Sequence, residues 1–194
     1  GYGVVPWRAD ARGLDVLVVR EPGGTLAGEE IRRVLLDTAH HGLCAEAELL
    51  LMFASRAQLV RELVRPALAA GRWVLSDRFT DASFAYQGGG RGQPADRIVD
   101  LERWAADGLK PDLTLLLDLP VAEGLKRARG RGSADRIEME NADFFERVRA
   151  AYRARAAAEP ARFRVIDASK PLAGVLGDVR AAVGGFADAA GVYA

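Results

Sequence analysis

The chain has 194 residues, of which 49% are hydrophobic, enough for one compact domain over 1–194 with a continuous core. Its 27 basic and 27 acidic residues balance to a formal net charge of +0, which argues against a nucleic-acid polymer as partner and against an acidic tail. A lone cysteine, Cys44, excludes an intramolecular disulfide, and no apolar run reaches the roughly 18 residues of a membrane span, so a cytoplasmic protein without membrane contact is expected.

In chain order, "LDVLVV" (14–19) reads as a buried strand opening into the charged turn "REPGG". "GEEIRRVLLD" (28–37) carries acids early and Ile31, Val34 and Leu35 on one face, the pattern of a short helix. Residues 45–71 place Leu49, Met52, Phe53, Val60, Leu63 and Val64 at helical spacings before Gly71, which predicts one long helix crossing the core. "RWVLSD" (72–77) predicts a strand, and Pro94 to Ala106 a helix. "PDLTLLLDLP" (111–120) is continuously apolar from Leu113 to Leu117, as expected of a parallel strand covered on both faces. A helix running into "RGRG", a helix over 141–160, a strand over 162–169 and a closing helix from Pro171 to Phe186 complete an α/β alternation with parallel strand order.

Ligands of open parallel sheets bind beyond the carboxyl ends of the strands, where "REPGG", "SDR" and "DLP" stand. Asp77 at such an end suits a magnesium ion or its water, and the planar fork of Arg78 suits a pair of phosphate oxygens; an ordinary strand-end ion pair is the alternative. Phe53 and Arg56, three apart on one helix, read either as a core ring with a snorkelling arginine or as a stacking and hydrogen-bonding pair for a nucleobase. Arg127, Arg129 and Arg131 sit around glycine in "KRARGRG", as a solvated basic face or as arginines that close over a phosphoryl group. His40 and His41 are adjacent, point apart and belong to a surface loop.

The segments "REPGGT", "GEEIR", "LLLMFASRAQL", "SDRFTDASFAYQGGGRG", "PDLTLLLDLP" and "GLKRARGRGSADRIE", in that order and spacing, resemble bacterial thymidylate kinases over roughly residues 14–180. The resemblance implies a P-loop kinase-like three-layer α/β/α fold, with a parallel sheet flanked by helices and a lid near 127–140. It implies transfer of the ATP γ-phosphate to dTMP with Mg2+, in a homodimer packed through long helices. At matching positions it assigns the acceptor phosphate to Arg78 and Arg32, and the metal or the attacking phosphate oxygen to Asp77. Thymine is assigned to Phe53, Arg56, Ser83 and Gln87, and the deoxyribose to Tyr86. Arg131 becomes the lid arginine used in catalysis, with Arg127 and Arg129 as supporting charges toward ATP. In many relatives the stacking ring precedes the arginine by four residues; here Phe53 precedes Arg56 by three and Met52 holds the fourth slot, so either side chain could meet the base.

The family's opening strand and G-x-x-x-x-G-K-[ST] loop have no counterpart in "GYGVVPWRADARGLDV", and the first lysine is Lys110. The favoured expectation is a sequence incomplete at its start, lacking the first, central strand, because the lid and base-pocket residues are retained together; a replaced N-terminus is the other. Without that phosphate cradle, transfer several orders of magnitude slower than in a complete enzyme is expected. The alternative is a non-catalytic dTMP-binding pseudo-kinase.

Overall fold

The computed structural model describes residues 13–128 and 134–191. Strand β1 (Val16–Arg20) leads through α1 (Leu26–Leu36) to α2 (Ala45–Leu59), which continues through a π-helical turn, Val60–Val64, into α3 (Arg65–Ala69). Strand β2 (Trp73–Asp77) is followed by α4 (Thr80–Ser83), which runs on as a π-helical segment, Phe84–Gly90, and then by α5 (Ala95–Ala105). Strand β3 (Thr114–Asp118), α6 (Val121–Ala128), α7 (Ala142–Ala158), β4 (Phe163–Asp167) and α8 (Leu172–Ala189) complete the chain order.

Both strand pairings are parallel, as the alternation of strands and helices requires. Val16 to Arg20 lie opposite Trp73 to Asp77, and Thr114 to Asp118 opposite Phe163 to Asp167. The described strands therefore make two parallel pairs, β1 with β2 and β3 with β4. The expectation that β3 is covered on both faces is not met among the described residues, since Leu117 is 55% exposed. Trp73 on β2 meets Phe186 on α8 edge-on, with ring centroids 5.8 Å apart, so the helix that follows β4 reaches the first strand pair.

Among the described residues the core forms three apolar clusters. Leu35, Met52, Ala85, Phe144 and Val148 join α1, α2, the π-helical segment and α7; Leu49, Phe53, Ile98 and Ala105 join α2 to α5; Val19, Leu59 and Val64 join β1 to the far end of α2. One helix thus serves three directions, because residues three or four apart share a face and adjacent ones do not.

The stretch "DASFAYQGGG", for which no helix was expected, is helical through its three glycines. Close packing explains the last two. A Cβ on Gly89 would lie 2.7 Å from Ala151 Cβ and 2.9 Å from the Arg147 carbonyl, and one on Gly90 would lie 2.5 Å from the Phe144 ring. Helix α7 sits directly on this backbone, and only glycine leaves it room.

Candidate active site

The β1–β2 register sets Arg20 beside Asp77, so the loops after the two strands emerge together and Glu21 N–H donates to the Asp77 carbonyl at 2.9 Å. A cleft opens there. Glu21 and Pro22 line it from the first loop, Met52 and Arg56 from α2, Arg78 from the end of β2, and Ala82, Ser83, Tyr86 and Gln87 from α4 and its π-helical continuation. Five residues named from the sequence, Arg56, Arg78, Ser83, Tyr86 and Gln87, converge on this one place.

The first loop is held by glycines in the left-handed region, Gly23 at φ +126 and Gly24 at φ +85. Its amides are tied down: Gly23 N–H donates to Ser55 Oγ at 3.0 Å and Gly24 N–H to Glu29 Oε1 at 2.8 Å. Arg32 on α1 donates through Nη1 to the Pro22 carbonyl at 2.9 Å, at the edge of the cleft.

Arg56 is fully buried at 2% exposure. Its Nε donates to Glu21 Oε2 at 2.7 Å, Nη1 to Ser83 Oγ at 3.0 Å and Nη2 to the Phe79 carbonyl at 3.3 Å. One N–H of Nη1 thus remains for a ligand. Glu21 Oε1 is buried and unpartnered. Burial pushes the Glu21 carboxyl above its usual range, and the Arg56 charge offsets this only in part.

Phe53, expected to stack on a base, lies instead in the α2–α5 cluster with its ring 4.5 Å from the Arg56 guanidinium carbon, and Met52 lines the cleft. Both residues are within one turn of Arg56, so the difference lies in what packs on them: α5 covers the side of α2 that carries Leu49 and Phe53, through Ile98 and Ala105, and leaves Met52, one step round, to the cleft.

Arg78 has φ 70, a left-handed conformation that costs a side-chain-bearing residue about 1–2 kcal/mol. Ser76 Oγ donates to its carbonyl at 2.6 Å, and its guanidinium carbon stands 4.9 Å from the Tyr86 ring centre. The strained backbone turns the side chain toward the cleft. Asp77 is exposed at the end of β2, and no cluster of three metal-ligating side chains occurs among the described residues.

Sequence reasoning passed over the acids behind the site. Glu48, 1% exposed, takes Gln87 Nε2 at 2.9 Å and Arg91 Nε at 3.2 Å on Oε1, and Arg91 Nη2 at 3.1 Å and Arg136 Nη2 at 2.6 Å on Oε2. Burial pushes its carboxyl up, but the hydrogen bonds from Arg91, Gln87 and Arg136 hold it below the ordinary range. Asp81 at the head of α4 is held below its range in the same way, by Arg162 at 2.7 and 2.8 Å and Arg155 at 2.5 Å. One signal was available: Glu48, Met52 and Arg56 recur every four residues along one helix face.

Arg127 does not join the cleft; its Nη1 donates to the Ala168 carbonyl at 3.0 Å and it faces Glu123 at 3.6 Å. Arg129 and Arg131 lie outside the described residues, which hold the lid segment only at 127–128 and 134–140. His40 and His41 are exposed, as expected, but His40 ends a 3-10 turn, Thr38–His40, where a loop was expected.

Comparison with known proteins places these observations in a family setting. The family model "Thymidylate kinase" matches residues 6–179. A thymidylate kinase of Pseudomonas syringae pv. tomato is 55% identical over 165 residues, covering 85% of this chain and 79% of its own. One of Halorhodospira halophila is 55% identical over 168 residues, covering 86% and 78%. The crystal structure of thymidylate kinase from Ehrlichia chaffeensis superposes with a TM-score of 0.67 at 29% identity, covering 86% of this chain and 79% of that one.

Proposed function

This chain belongs to the thymidylate kinase family, and from that premise we propose that the cleft between α2 and α4 holds dTMP while ATP supplies the phosphoryl group. The chain is a phosphotransferase acting on dTMP, built on a P-loop kinase fold. The observation that carries the assignment of the cleft is the convergence of Arg56, Arg78, Ser83, Tyr86 and Gln87 on one opening at the carboxyl end of β2.

In this reading the base enters edge-first. Arg56, pinned by Glu21, Ser83 and the Phe79 carbonyl, offers its remaining Nη1 hydrogen to a base carbonyl. Met52 covers one face of the ring, and Phe53 supports the guanidinium from below. Tyr86 lies beneath the sugar. Arg78 binds the acceptor phosphate, with Arg32 approaching from α1; two cations there lower the repulsion between an anionic acceptor and an anionic donor. Asp77 offers one exposed carboxylate, which fits Mg2+, an ion that takes one or two carboxylates and fills its shell with phosphate oxygens and water. Bound there, Mg2+ would neutralise charge developing on the phosphates. Arg127, Arg129 and Arg131 are assigned to the ATP side, Arg131 as the catalytic lid arginine. Self-association is assigned to the exposed side of the α2–α3 helix, where Leu50 is 56% and Leu68 41% exposed. No helix among the described residues is long and apolar enough to cross a membrane, and the lone cysteine fits a reducing cytoplasm.

Isothermal titration tests the assignment. dTMP is expected to bind much more tightly than UMP, and Arg78→Ala to weaken dTMP by about 1.5–3 kcal/mol, as for a lost charge-assisted hydrogen bond. Equal affinity for the two nucleotides, or an unchanged dTMP affinity in Arg78→Ala, would refute it.

A further inference from the structure

We propose that Glu48 is a positioning residue for base selection: it fixes the amide of Gln87 so that the carbonyl oxygen faces the cleft, which makes the site take a base with an imide N–H. The inference rests on reading the Arg56–Gln87 cleft as the base pocket.

An amide side chain is an acceptor at one end and a donor at the other, and half a turn exchanges the two. Arg56 has no such freedom, since a guanidinium only donates. The base edge that this pocket accepts therefore depends on which way Gln87 points. Both are buried, Gln87 at 1% exposure and Glu48 at 1%, so water does not settle the orientation.

Glu48 does. An ionised carboxylate has no hydrogen to give, so the group 2.9 Å from its Oε1 has to be the Gln87 nitrogen. Two arginines keep the carboxylate charged and stationary: Arg91 grips both oxygens, at 3.2 and 3.1 Å, and Arg136 holds Oε2 at 2.6 Å. Arg136 is itself anchored to the Leu35 carbonyl at 2.7 Å. With its nitrogen committed, Gln87 has an acceptor left for the cleft it lines.

An acceptor from Gln87 beside a donor from Arg56 complements N3–H next to a carbonyl, the edge of thymine or uracil. Cytosine offers the opposite pattern, a lone pair at N3 next to an amino group. It would set acceptor against acceptor and donor against donor in a dry site, where unpaired polar groups are costly. Reversing Gln87 would reverse half of that preference, and Glu48 is what prevents the reversal.

The test compares binding of dTMP and dCMP, two ligands with the same phosphate and sugar, by calorimetry on the full chain. In Glu48→Gln the new amide can face Gln87 with either end, and the dTMP:dCMP affinity ratio is expected to fall about tenfold, the worth of one net hydrogen bond. Gln87→Ala is expected to lower the same ratio. A Glu48→Gln protein that binds both nucleotides more weakly by the same factor, or that keeps its ratio within about twofold, overturns the inference, because a merely structural role loosens the pocket for either ligand alike. If Gln87→Ala itself leaves the ratio unchanged, the base-pocket reading fails first. Glu48→Asp keeps a charge for both arginines while withdrawing the carboxylate from Gln87, and it is read in the same way if Glu48→Gln does not fold.

Discussion

The cleft depends on side chains whose partners lie far along the chain. Arg56 meets Glu21 across 35 residues and Gln87 meets Glu48 across 39. The side chains lining the cleft were legible through the motifs that carry the family resemblance; those holding them were not, since a buried carboxylate looks like any other until its guanidinium is placed. The Glu21–Arg56 pair is the sharpest case, with side chains 4% and 2% exposed. Glu21→Ala removes one charge and strands the other, and is expected to destabilise the protein by about 3–5 kcal/mol. Urea denaturation measures this, and a loss under about 1 kcal/mol would mean that water reaches Arg56. The choice between Met52 and Phe53 was equally open to spacing alone, and was decided by which face of α2 meets α5.

At the scale of elements, periodicity located the four strands of the described residues and the main helices, with boundaries differing by one to three residues at most ends. It failed at Phe84–Gly90. Three successive glycines look like a turn, because local propensity counts the entropy that glycine loses in a helix and not the helix packed against it. Gly89→Ala therefore tests the packing directly. Propensity favours alanine by up to about 1 kcal/mol, yet the Arg147 carbonyl 2.9 Å from the new Cβ belongs to backbone and cannot swing aside. A net destabilisation of about 1–3 kcal/mol is expected, read from the denaturation midpoint, with dTMP affinity falling as Tyr86 and Gln87 shift. A stabilised variant would show that α7 can retreat.

The whole molecule carries a pH dependence that follows from these ion pairs. Glu48 and Asp81 titrate below their ordinary values of 4.5 and 3.8 in the folded state. The unfolded chain therefore takes up their protons first. The stability they contribute is complete above those ordinary values and is lost as pH falls through the lower folded ones. Glu21 has the opposite sign: its raised folded value favours the folded state most below 4.5, and that advantage disappears as pH rises through it. The carboxyls of Asp118 and Glu159, hydrogen-bonded to Arg149 and Arg162, are lowered as well, so the lowered groups outweigh Glu21; urea midpoints are expected to hold from pH 7 to about 5 and to fall steeply toward pH 3, less so in Asp81→Asn. A profile flat to pH 3 would contradict the ionised assignment of Glu48 and Asp81.

The amino-acid order by itself determined the alternation of strands and helices and their parallel pairing, because these follow from short-range spacing along one chain, and its motifs carried the resemblance that named residues lining the cleft. Only the tertiary structure decided which neighbour on α2 lines the cleft, why Gly89 and Gly90 sit inside a helix, and which way the Gln87 amide points. Each of those depends on a surface brought from elsewhere in the sequence, and a buried polar group takes its orientation from whatever it is buried against.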